Sequence, residues 1–350
     1  SVHTIGDKAF QKCNNLEEVS FLSCTKIGDY AFSECIKLTS INMPNLISIG
    51  AYSFRQTALE KVELDNVTQV NQIVIIGKDK GNHFEGCSSL ISVSMKKLTY
   101  IRINMFLNCN NLKDIDFPLV KQIYIDGFRG CKSLETLTFP VLSKIGDTAF
   151  NGNPGLIEID LPSVTSIGSS TFAGCTNLKS FSAENCVSIG SYAFDGCSKL
   201  NSIYFPSLTS IGAFSFRNTA LVEVELNNVT SAEMVSISAK SYGNQFYGCS
   251  LIVSITMQKL PFIQIGMFIN CDKLKYISFQ SATSIKRDSF SGCNSLENIT
   301  FPVLTSIGES SFEGLLGIKE INLPLLDSIG YKGFDSCTNL QIFSSENCKS

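Results

Sequence analysis

Apolar residues return along this chain every 22 residues, and a phenylalanine marks each return, at 10, 32, 54, 84, 106, 128, 150, 172, 194, 216, 246, 268, 290, 312 and 334. Two steps are longer, at 30 residues: Phe54 to Phe84 and Phe216 to Phe246. Counted from each Phe, apolar side chains recur at offsets +6, +9, +11, +14 and +17, as in Leu178, Phe181, Ala183, Cys186 and Ile189. Polar +8 and +10 flank an apolar +9, the period-two pattern of a strand with one buried face. Proline at +12, as in Pro118, Pro162 and Pro302, would close that strand. The stretch GSYAFDGC (190–197) spaces its apolar residues by three and four, which predicts a short helical turn.

One strand and a return path cannot bury a core alone, so such units must stack into a solenoid. A second period lies above the first: FRQTALEKVELDNVT (54–68) returns as FRNTALVEVELNNVT (216–230). The expected organisation is a single array of about fifteen units over 1–350. Its first and last residues fall near the same offset, which reads as a window of a longer array.

L-x-x-I-x-F within a 22-residue unit resembles leucine-rich repeats, and IGxxAFxxCxxL resembles their BspA-like class. The resemblance covers the whole chain. It implies a leucine-rich repeat solenoid: a curved right-handed superhelix with one parallel β-sheet and short helical turns on the return side. It also implies cell-surface adhesion or protein recognition, with a protein or glycan partner on the concave strand face and an extracellular or cell-surface location. The alternative is an intracellular interaction scaffold on the same solenoid. The sequence departs from common leucine-rich repeats at +14, where Leu46, Leu142, Val164 and Leu208 replace the expected asparagine ladder. A parallel β-helix, the rival fold, hosts polysaccharide-cleaving enzymes and would need acids and bases gathered on one face.

Composition narrows the function classes. The net charge of -3 provides no basic surface for nucleic acid. Apolar runs such as 73–76 fall far short of a membrane span. No HExxH, GxSxG or GxxxxGK[ST] occurs, so neither an enzyme nor a cofactor is expected. His83 takes a slot filled elsewhere by Ala, Ser or Gln245, which disfavours a general base. The triplets at Asn66, Asn228 and Asn298 fit N-glycosylation, but a Ser/Thr-rich chain makes such triplets by chance.

The 14 cysteines form no CxxC pair, and no metal is expected. Eleven stand at +3, where Thr57, Asn153, Thr219 and Leu315 substitute; Cys24, Cys186 and Cys348 stand at +14, where other units put Leu or Val. Interchange with Leu marks them as buried free thiols that fill space.

The strand face, read at +8 and +10, carries Glu18, Glu63, Asp114, Asp116, Glu158, Asp160, Glu223, Glu225 and Glu320 against a single base, Lys61. No two adjacent coils both carry acids there, as expected if like charges opposite one another destabilise. Tyr204 and Tyr276 bracket Glu223 and Glu225 in the sequence, and tyrosine is an enriched interface anchor. The candidate binding residues are Glu158, Asp160, Tyr204, Glu223, Glu225 and Tyr276. The extra residues of the two long units, within 70–81 and 232–243, are expected to project as loops that help choose the partner, with Ile73, Val74 and Ile76 needing cover.

Overall fold

Each coil lays down two short strands. A three-residue strand such as Ser180–Ser182 occupies +8 to +10, and a two-residue strand such as Ser188–Ile189 occupies +16 and +17. The computed structural model describes residues 1–75, 78–237 and 240–345. Its coils group into two units, Ser1–Val164 with Thr171–Asn177, and Thr165–Ser170 with Leu178–Ser350.

Equal unit length sets the register. Ser180, Phe181 and Ser182 pair in parallel with Ser202, Ile203 and Tyr204, so each side chain meets its own equivalent one coil on. The second row behaves alike, Ser188 and Ile189 pairing with Ser210 and Ile211. In the first unit, Lys26–Ile27, Ser48–Ile49 and Gln69–Val70 form such a row. The +17 residues Ile27, Ile49, Ile189 and Ile211 are buried.

The expectation of one parallel sheet is therefore corrected to two rows of parallel strands. The three-residue row is also interrupted, among other places just before Lys61–Glu63 and Glu223–Glu225, the coils with one residue fewer between Phe and strand. The two insertions add antiparallel hairpins, Ile73–Ile75 with Lys78–Lys80 and Val235–Ile237 with Lys240–Tyr242. Residue 76 lies outside the described residues, and the exposure expected of Ile73 and Val74 is not among the described features.

The expected helical turns are absent from the described residues. In 190–197 the backbone is left-handed at Tyr192 (φ 60°) and Gly196 (φ 70°), two residues either side of Phe194. Left-handed residues cannot continue a right-handed helix. They aim alternate N–H groups out of the coil: those of Tyr192, Phe194 and Gly196 donate to the carbonyls of Ala213, Ser215 and Arg217 at 2.9, 2.8 and 2.9 Å. Asp195 and Cys197 instead close i→i+3 turns onto Tyr192 and Phe194, both at 3.1 Å. The return side is a ladder of tight turns stitched to its neighbours.

The phenylalanines stack into a spine. In the first unit Phe32, Phe54, Phe84, Phe106, Phe128 and Phe150 lie face to face with centroids 5.1–5.5 Å apart. The second unit repeats this from Phe194 to Phe334 at 5.0–5.5 Å. Such spacing lies within the favourable range for offset aromatic pairs.

The cysteines run beside this spine. All those among the described residues are free and most are buried, Cys13 being exposed and Cys337 partly so; Cys348 lies outside the described residues. The +3 thiols do more than fill space. Cys109 Sγ donates to Phe84 O at 3.1 Å, Cys131 to Phe106 O at 3.1 Å and Cys293 to Phe268 O at 3.1 Å. Each caps the Phe carbonyl of the preceding coil. The substitutes Asn153, Thr57 and Thr219 are donors too: Asn153 Nδ2 reaches Phe128 O at 3.0 Å, and the threonines cap the Phe of their own coil.

Candidate functional site

In most strands of the three-residue row the middle side chain is the more buried one, and at Glu158–Asp160 and Glu223–Glu225 it is buried while the two that flank it are exposed. All nine acids of the sequence reading, and Lys61, stand at such exposed ends. Ser92–Ser94 pairs between Lys61–Glu63 and Asp114–Asp116, separating their carboxylates by a coil.

The two copies of the long unit place equivalent positions on equivalent strands, yet their charges behave differently. In the first copy three of the four acids have a lysine partner within the face, and Asp114 has none among the described residues. Lys61 Nζ lies 2.7 Å from Glu63, and Lys96 Nζ lies 2.8 Å from Asp65 and 3.8 Å from Asp116. Ser94 Oγ also donates to Asp65. Slight burial works to raise the Asp65 pKa, but the hydrogen bonds from Lys96 and Ser94 outweigh it and hold the carboxyl below its ordinary value. Lys61, Glu63, Ser92, Ser94, Asp114 and Asp116 line a shallow hollow of about 200 Å³.

The second copy has no such network. Asn227 replaces Asp65, Gln258 replaces Lys96, Ser278 replaces Asp116 and Glu223 replaces Lys61. The carboxylates of Glu223 and Glu225 have no ion pair or hydrogen bond among the described residues. Thr256, paired beside Glu225, has a solvent-shielded hydroxyl without a partner, where its equivalent Ser94 is satisfied by Asp65. Glu223 and Glu225 open onto a hollow of about 390 Å³, closed by Tyr204, Pro206, Asn227 and Asn228. Tyr204 is 56% exposed. Asn228 is held in place: its Nδ2 donates to Pro206 O at 2.8 Å and its Oδ1 accepts from Lys259 at 2.8 Å. Asn66 makes the same two bonds in the first copy, so both triplet asparagines tie coils together.

The structure thus brings Tyr204, Glu223 and Glu225 together. Tyr276 is exposed in the column of Glu223, but two coils on with Ser254 between, roughly 10 Å away at ~4.8 Å per coil. It does not line the hollow. Glu158 and Asp160 belong to the first unit, on a strand paired with Thr136–Thr138. Asn227 was not singled out from the sequence, and Asn228 only as the start of a glycosylation triplet; a position-by-position comparison of the two copies would have exposed the exchanges at 65/227 and 96/258.

Among the described residues no group of three or more His, Cys, Asp or Glu could hold a metal ion, and no helix is long and apolar enough to cross a membrane. His83 is wholly buried and neither ring nitrogen completes a hydrogen bond. Burial pushes its pKa down to about 3, opposed by the backbone of Asn71 and reinforced by the charge of Arg102. It is neutral at any ordinary pH.

Stacked parallel strands, a self-complementary core and an exposed polar strand row define a leucine-rich repeat solenoid, a fold of non-catalytic binding scaffolds. The chain belongs to the BspA type leucine-rich repeat family, whose repeat region matches residues 3–135, 121–242, 183–284 and 226–341. It is similar to a leucine-rich repeat protein from Bacteroides ovatus, 27% identical, over 98% of this chain and 76% of that one, with a TM-score of 0.69. It is also similar to a leucine-rich cell surface protein from Faecalibacterium prausnitzii, 22% identical over 86% of this chain and 83% of that one (TM-score 0.44). A leucine-rich repeat protein from Eubacterium ventriosum is 18% identical over 100% of this chain and 82% of that one (TM-score 0.45). No curated protein matches the chain.

Proposed function

We propose that the chain is a recognition module for a basic segment of a protein partner, displayed at the cell surface for adhesion or protein recognition. Its contact point is the hollow of Tyr204, Glu223 and Glu225. The observation that carries this reading is the contrast between the copies: one face pairs most of its acids with its own lysines, while the other keeps two carboxylates without a base beside an exposed tyrosine. Close charge pairs gain strength when a partner desolvates them, and an aromatic wall supplies both contact area and a cation–π surface. The hairpins, at the same place in each copy, are further contact elements that tune partner choice. The surface location rests on family membership.

The test is a titration with a short lysine-rich peptide, followed by fluorescence anisotropy, for the wild type and E223Q/E225Q. The wild type should bind with an affinity that falls as salt rises, and the double variant at least about tenfold more weakly. Equal binding by both would refute the reading. For the location, antibody labelling of intact cells producing the natural full-length protein should be positive; labelling only after permeabilisation would favour the intracellular scaffold.

A further inference from the structure

Coils approach so closely at offset +18 that glycine is the rule there, as at Gly28, Gly50, Gly146, Gly308 and Gly330. A Cβ added at Gly146 would stand 2.9 Å from Ile125 N, and one at Gly308 would stand 2.8 Å from Arg287 N. Real side chains do not tolerate such distances to backbone. The coils that follow the hairpins nevertheless carry side chains at this offset, Arg102 and Tyr124 in the first unit, Gln264 and Lys286 in the second. The array does not require these residues, since most other coils stack without them.

In the first unit they form an unsatisfied cationic site. The Arg102 guanidinium lies 5.7 Å from the Tyr100 ring centroid and 5.5 Å from that of Tyr124, and the two rings meet edge to face at 6.4 Å. Arg102 has no carboxylate partner among the described residues, and its Nε is shielded from water without a hydrogen bond. A guanidinium presents a planar fork of donors matched to a carboxylate. Beside it opens a hollow of about 250 Å³, whose lining includes Thr68, Gln69, Asn71, Thr99, Tyr100 and Arg102. That is below the roughly 300–1,000 Å³ of drug-sized ligand sites and suits a single ring.

We propose that this hollow binds the carboxylate of an acidic sugar, the uronic-acid class. Arg102 takes the carboxylate, the amides and hydroxyls of Gln69, Asn71, Thr68 and Thr99 take the ring hydroxyls, and Tyr100, 39% exposed, offers its ring to the apolar C–H face. One monovalent cation and no second base favour a carboxylate over a phosphate. The many neutral donors and acceptors favour a hydroxylated ring over the end of a peptide. The site uses none of the residues of the proposed basic-segment hollow. The second copy has lost the chemistry: Gln264 stands for Arg102, Glu233 for Asn71, Phe262 for Tyr100, and Lys286 covers the Phe262 ring at 5.5 Å.

The experiment is an NMR titration of the whole chain with glucuronic acid, glucose and N-acetylglycine as probes. Glucuronic acid should shift tyrosine resonances saturably, with glucose and N-acetylglycine each at least about tenfold weaker. R102Q and N71E carry what the other copy holds at these positions, and each should weaken glucuronic acid binding at least about tenfold while leaving the thermal midpoint unchanged. Absence of glucuronic acid binding, equal binding of glucose, or R102Q and N71E both binding like the wild type would overturn the proposal. N-acetylglycine binding as tightly as glucuronic acid would overturn the sugar in favour of a peptide carboxylate.

Discussion

Residues 54–116 and 216–278 are the same stretch of solenoid written twice, and they differ where the solenoid does not care. Phe54 and Phe216 hold equivalent places in the spine, Thr57 and Thr219 the same bond to it, and Asn66 and Asn228 the same tie between coils. At the exposed offsets nothing enforces agreement. One copy closes Lys61 on Glu63 and Lys96 on Asp65; the other leaves Glu223 and Glu225 open beside Tyr204. Buried positions are constrained by packing against their own equivalents, whereas exposed ones are free to take on recognition chemistry.

The largest effect should be equal in the two copies. F84A and F246A each remove a fully buried ring from the stack and should each cost about 3–5 kcal/mol in urea denaturation. Clearly unequal losses would mean that the spines are not equivalent. The next effect should be confined to one copy. Because the His83 pKa falls from 6.5 to about 3 on folding, the unfolded chain binds the extra proton between those values. Stability is then complete above pH 6.5 and lost as the pH falls, by at most about 1.4 kcal/mol per pH unit. H83Q, the residue of the other copy at 245, should flatten that part of the pH profile, and an unchanged slope would contradict the assignment. Alkaline pH should again treat the copies alike. Burial pushes Cys87 and Cys249 up to about 11 from 9.0, so the unfolded chain loses its protons first and stability declines as the pH rises from about 9 toward 11. C87A and C249A should lessen that decline equally, by about 1 kcal/mol near pH 10. The smallest change to the fold should be the sharpest for binding. E223K imports the first copy's Lys61 into the second, where it pairs with Glu225, and should weaken the lysine-rich peptide several-fold without moving the melting temperature.

Much of the coil was legible because register-locked stacking forces every buried offset to repeat. Leu, Phe and Ile at fixed offsets announced the three-residue strand and its exposed ends. The turn around Phe194 was misread because apolar spacing of three and four does not distinguish a helix from turns with left-handed residues. The signal was present at +2, where Gly196 and Asn218 tolerate positive φ. The two-residue strand Ser188–Ile189 is too short to show a period. The +3 cysteines looked like filler until their donors' role was seen, although replacement by Thr57 and Asn153 pointed to hydrogen bonding. At the site, Tyr204 and the two glutamates were legible from offsets alone. The wider bracket was not: Tyr276 stands beyond an intervening coil, and Glu158 and Asp160 belong to another stretch of the array.

Hydrogen–deuterium exchange of the whole chain, with and without the lysine-rich peptide, tests the central asymmetry most directly. The account predicts slowed exchange at 202–206 and 222–228, with the equivalent segments 40–44 and 60–66 unchanged. Equal protection of both copies, or protection of the first copy alone, would contradict it.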